Sequence, residues 1–116
     1  MGQALDVVNR YYGVWDKKGE GMEDVIAENF SFVGPLATAD RKGFLEAAPQ
    51  LGQMFQKLDF HKKFEDGDQV CCLYDLEMAT PAGNLTVPMA EWLKVAGGKI
   101  TEIKLFYDPR ELAAAM

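Results

Sequence analysis

Between positions 4 and 16 apolar side chains recur at helical spacing. Ala4, Leu5, Val7, Val8, Tyr11, Tyr12, Val14 and Trp15 form a wide stripe, and Asp6, Asn9, Arg10 and Asp16 take the other side. The pattern predicts a helix that stops near Lys17-Lys18-Gly19, basic residues followed by a glycine. A short second helix is expected over Met22 to Glu28, with Val25 and Ile26 turned inward. Asn29 to Val33 alternates and predicts a short strand, ended by Gly34-Pro35. Asp40 stands where an N-cap would, before a third helix carrying Phe44, Leu45, Ala48, Leu51, Met54 and Phe55. Pro49 inside that run predicts a kink or a break.

From Lys57 the period changes to two. Leu58, Phe60 and Phe64 alternate with Asp59, His61 and Lys63, which predicts a strand. Asp66-Gly67, Pro81-Ala82-Gly83-Asn84 and Gly97-Gly98 then punctuate three further strand patterns, so four strands follow one another as a meander. Helices early and strands late predict an α+β fold, with three N-terminal helices packed on a curved antiparallel sheet in one domain, 1–116. The tail from Glu111 is given no element. In the second meander strand Val70, Cys72, Tyr74, Leu76 and Met78 share a face, expected to be the concave one under the helices. The third is ambiguous: Pro88, Ala90 and Trp92 oppose Met89, Glu91 and Leu93, and each side is half apolar. In the last, Ile103, Leu105 and Tyr107 oppose Lys104, Phe106 and Asp108. A sheet covered on both faces explains this, by helices on one side and a second subunit on the other.

Composition narrows the classes of function. The 116 residues are 48% hydrophobic and 26% charged, enough to bury a core without metal or disulfide staples. A formal net charge of −6 repels phosphate backbones and anionic lipid, so neither nucleic acid nor a membrane surface is an expected partner. No apolar run has the length of a membrane span, and the N-terminus lacks a leader pattern, which makes the cytoplasm the expected location. Cys71 and Cys72 are neighbours on a strand, point to opposite faces and should stay reduced. With a single histidine, they make a poor soft-ligand set, so no metal site is expected, and no cofactor is expected either.

The segments VVNRYYGVW, FSFVGP, FEDGDQV, VPMAEWLKVAGGKITEI and LFYDPREL together resemble the SnoaL-like family of the nuclear transport factor 2-like superfamily, over nearly the whole chain. The resemblance implies a cone-shaped roll around a deep apolar pocket, and a homodimer through the sheet face. It also implies a small apolar ligand, with or without chemistry, since fold alone does not fix function. Among ketosteroid isomerases, Tyr11 matches the tyrosine of the first helix, but the base falls on Gly34 and the oxyanion acid on Ala90. Neither can carry a proton. Against limonene-epoxide hydrolases, Asp108 matches one acid of the closing motif, while the arginine and its acid partner fall near Tyr74 and Leu76.

The candidate catalytic pair is therefore Asp108, as acid or base at the end of an apolar strand, and Tyr11, as hydrogen-bond donor. Asp108 before Pro109 equally suits a turn cap. Trp15, Phe32, Met54, Tyr74, Met78, Ala90, Trp92 and Phe106 are the expected pocket lining. Glu91 is the odd acid on its strand, and either a dimer interface or the pocket mouth would accommodate it. His61 reads as a surface residue. Two functions stay open. One is a cofactor-independent isomerase, cyclase or hydrolase acting on a small hydrophobic molecule. The other is a non-catalytic binding or dimerisation module of the same fold.

Overall fold

The computed structural model describes residues 2–116. Helix α1 (Gln3–Asp16) leads through a single 3-10 turn (Met22–Asp24) into strand β1 (Ile26–Val33) and the short β2 (Thr38–Asp40). Helix α2 (Arg41–Met54) is followed by β3 (Phe55–Asp66), β4 (Gln69–Thr80), β5 (Gly83–Ala96), β6 (Lys99–Phe106) and a terminal helix α3 (Arg110–Ala115). The six strands form one sheet in the order β2-β1-β6-β5-β4-β3, with β1 parallel to β6 and every other pairing antiparallel. Helices α1 and α2 lie against this sheet, so the α+β class holds, but the third helix is C-terminal rather than N-terminal.

The local signals explain most elements. The α1 stripe is buried from Ala4 through Val14, as its spacing requires. Asp40 does cap α2: its Oδ1 accepts from the Gly43 amide at 2.8 Å. The β5–β6 hairpin turns on Gly97-Gly98 with φ of 60° and 77°, a two-residue turn that needs positive φ at both positions. Gly52 lets α2 approach the end of α1. A Cβ there would lie 2.0 Å from the Lys18 carbonyl oxygen.

The structure departs from the local signals in several places. The helix expected over 22–28 is only one 3-10 turn, because Ile26 already pairs with Ile100 and the Val25 carbonyl accepts from the Ile100 amide at 2.9 Å. Sheet pairing across the molecule outcompetes weak local helicity. Helix α2 runs unbroken through Pro49. Phe64 does not share a face with Phe60. A register shift between Phe60 and Lys62 moves the alternation by one, so Phe64 points outward and is 52% exposed. Strand β2 and helix α3 carry no strong pattern of their own; Leu112 of α3 is buried all the same.

Candidate functional site

Turn geometry decides which face of β5 looks inward. Thr80 pairs with Gly83 across a two-residue turn, so each even-numbered residue of β4 stands opposite an odd-numbered residue of β5. Directly opposed residues share a face. Val70, Cys72, Tyr74 and Met78 are buried under the helices, which forces Met89, Glu91 and Leu93 to the same side. The β5–β6 register carries the same parity to Leu105 and Ile103. Ala90, Trp92 and Phe106 therefore occupy the outer face, where Phe106 is 58% exposed. Trp92 lies across the sheet surface, its Nε1 donating to Gln69 Oε1 at 3.1 Å and the Lys104 ammonium 5.5 Å from its ring.

Between the helices and the inner face is a cavity of about 360 Å³. Tyr11, Trp15, Phe32, Tyr74 and Met78 line it; Met54, half-buried at the end of α2, does not. Ala90, Trp92 and Phe106 are excluded from it by the strand parity described above. Leu36, Leu51 and Met116 are lining residues that are also exposed, and they mark its open end.

On its wall stands Glu91, a lining residue only 3% exposed and, among the described residues, the sole charged or strongly polar one that is buried. Its Oε1 accepts two phenol hydrogens, from Tyr12 at 2.7 Å and from Tyr74 at 2.9 Å. Oε2 receives no hydrogen bond among the described residues. Burial raises the Glu91 carboxyl from 4.5 to about 7, against the opposing pull of the two phenols, which favour the ionised form. The same burial, and then the Glu91 charge, holds the Tyr11, Tyr12 and Tyr74 hydroxyls well above their usual range, so all three stay donors. The rings interlock edge to face: Tyr12 lies 5.2 Å from Tyr11, 4.7 Å from Phe60 and 5.8 Å from Tyr74.

Asp108 sits elsewhere. Its side chain is 57% exposed, it is not part of the cavity wall, and its carboxylate is gripped by Arg110 through both the guanidinium and the backbone amide. Those bonds lower its pKa from 3.8 to about 2. Its Oδ1 closes the turn before α3 by accepting from the Arg110 amide at 3.1 Å, which is the turn role that its place before Pro109 suggested. The acid of the site is instead Glu91, one residue beyond the position to which the ketosteroid isomerase resemblance pointed. Neither a dimer contact nor the pocket mouth is where it lies. Tyr12, read only as part of the α1 stripe, is its partner. The signal that finds Glu91 was present: a two-residue turn after a strand of known face fixes the parity of the next strand.

One cluster of potential metal ligands occurs among the described residues. Asp59, His61 and Asp75 hold donor atoms within 4.8 Å of one another on the outer face, with His61 Nε2 3.0 Å from Asp75 Oδ2. The trio could take a divalent cation, but it is far from enclosed and is not part of the cavity.

Comparison with known proteins agrees with this architecture. Residues 8–103 match the SnoaL-like domain. No curated protein matches the chain by sequence. Among solved structures, an NTF2-like protein of unknown function from Cytophaga hutchinsonii is 25% identical over 95% of this chain and 94% of its own, with a TM-score of 0.82. A protein with a ketosteroid isomerase-like fold from Catenulispora acidiphila, in complex with trimethylamine, is 20% identical over 94% and 90%, with a TM-score of 0.74. TerC, co-crystallised with polyporic acid, is 20% identical over 97% of both chains, with a TM-score of 0.77. With a helix-covered sheet in this strand order and a family match over most of its length, the chain belongs to the SnoaL-like domain family, on the NTF2-like, ketosteroid isomerase-like fold.

Proposed function

We propose that the protein binds a small, largely apolar molecule in the cavity under α1 and α2, with the ligand's polar end at Glu91. The observation that carries this reading is the half-satisfied carboxyl. A buried acid normally finds partners for both oxygens. Here two tyrosines saturate Oε1, while Oε2 has no donor among the described residues, in a wall otherwise made almost wholly of apolar and aromatic side chains. A few placed polar groups in an apolar cavity are the usual make-up of a small-molecule site. The small molecules held by TerC and by the Catenulispora protein are consistent with such use of the fold.

Trp15 reports on the cavity directly. In a Trp92→Phe background, alkylbenzenes and their hydroxyl- or amine-bearing analogues should change Trp15 emission saturably, and Met89→Phe, which narrows the space, should weaken the change. An unchanged Trp15 signal across such ligands sinks the reading. The outer face complements this role. Phe64, Leu73 and Phe106 are exposed there around Trp92, and we read the patch as the contact of a homodimer. Phe106→Glu should then turn a dimer into a monomer in light scattering; a wild type that is monomeric at high concentration removes the dimer.

A second reading is favoured by one observation, the carboxyl held at about 7. Such a group can give or take a proton at neutral pH. In this reading Glu91, in place of Asp108, serves as acid or base on a bound carbonyl compound, oriented by Tyr12 and Tyr74. Exchange of the α-protons of an apolar cyclic ketone in D2O, followed by NMR, tests it. Equal rates with wild type and Glu91→Gln would remove catalysis and leave binding.

A further inference from the structure

We propose that the ligand is a hydrophobic cation, with a tertiary or quaternary ammonium group set against Glu91 and its apolar body lying along the aromatic wall. The inference rests on the binding reading above and adds the charge of the ligand to it. The cavity wall contains one acid and no Lys, Arg or His. Eight of its twenty residues are aromatic, Tyr12 and Tyr74 in direct contact with the acid. Ring faces carry negative potential and attract diffuse, weakly hydrated cations such as alkylammonium groups.

Among the described residues the acid also lacks a counter-ion. Lys63, on the same face of the sheet two strands away, is held by Asn9 Oδ1 at 2.8 Å and lies 4.0 Å and 5.6 Å from the Phe60 and Tyr12 ring centroids, without an ion pair to Glu91. A neutral hydrocarbon would leave Oε2 bare and strip Glu91 of any remaining water, which is unfavourable for the ionised form. An anion would meet a like charge with no base to offset it. An ammonium group supplies the missing charge, and a tertiary one also supplies an N–H to Oε2. Pairing two charges in a dry site is favourable only when the geometry is already fixed, and the two phenols fix this carboxylate. The formal net charge of −6 draws cations towards the molecule.

Benzyltrimethylammonium and neopentylbenzene have nearly the same shape and differ in charge. Their binding to the full chain, read by Trp15 emission and by NMR shifts of the Met78 and Met89 methyls, separates the possibilities. The expected result is an affinity for the cation at least about tenfold higher than for the hydrocarbon, a difference of roughly 1.4 kcal/mol. Glu91→Gln should erase that preference while still binding neopentylbenzene, which also shows that the variant is folded. If wild type binds neopentylbenzene equally or better, the cation inference fails and the apolar cavity stands. If neither probe binds, both fall. Preference for the cation that survives in Glu91→Gln overturns the role given to the carboxylate.

Discussion

Two acids, Glu91 on the cavity wall and Asp108 past the end of β6, lie in opposite surroundings, and neither lies where its sequence neighbourhood suggested. Asp108 closes a strand that reads as apolar on one side, yet it is solvated and clasped by Arg110, and its pKa falls to about 2. Glu91 lies on a strand whose two faces both read as half apolar, so its side was undecided, yet it is buried and its pKa rises to about 7. A carboxyl's chemistry is set by what surrounds it in three dimensions. Burial without a cation lifts the carboxyl's titration to about neutral pH, and an arginine in solvent lowers it to about 2.

The sharpest way to break that contrast is Glu91→Gln. Burial makes folded Glu91 hold its proton more tightly than the unfolded chain does, so its contribution to stability is full below pH 4.5, declines as pH rises to about 7 and then levels. The decline amounts to about 3 kcal/mol. Denaturant titrations at several pH values should show it in wild type and lack it in Glu91→Gln, which should be the more stable protein at pH above 7. A wild-type curve flat across that window would mean that Glu91 is not desolvated as described.

Gly52→Ala follows in size. It forces a methyl against the Lys18 carbonyl and should lower stability by about 2 kcal/mol, by opening the α1–α2 contact that roofs the cavity. Unchanged thermal unfolding would show that the two helices can separate freely. Tyr74→Phe removes one donor to Oε1. It should cost about 1.5 kcal/mol at neutral pH and move the Glu91 titration upward, because the lost bond favoured the ionised form. Carbon-13 NMR of the Glu91 carboxyl reads that shift, and a downward one would contradict the geometry.

Asp108→Asn has the smallest expected effect. Its bonds to Arg110 stabilise the fold above pH 3.8 and are lost as pH falls through about 2, so only acid unfolding should change. Ligand binding to the cavity should match wild type. A large loss of binding would return Asp108 to the site.

The hairpin strands and α1 were legible because their signals are local and strong. The alternation of Val70, Cys72 and Tyr74, the glycine pairs and the α1 stripe each depend on a few consecutive residues. Tyr11, Trp15, Phe32, Tyr74 and Met78 were legible as pocket candidates for the same reason, since each belongs to an inward stripe. Ala90, Trp92 and Phe106 were misplaced because both sides of β5 and β6 are half apolar, and periodicity cannot choose between two such faces. Tyr12 was hidden among core residues, because a phenol inside a helix stripe looks the same whether or not its hydroxyl meets an acid.

The sequence by itself determined the α+β class, the meander and the family, since these rest on periodicity, turn residues and motifs that read along the chain. The meeting of Glu91 with Tyr12 and Tyr74 was decided only in the tertiary structure. Those residues are 79 and 17 positions apart, and no local pattern ties them together. Register carried Glu91 inward, helix docking brought Tyr12 to it, and exclusion of water from the resulting space raised its pKa. Each step depends on the one before it, and none acts on a strand alone.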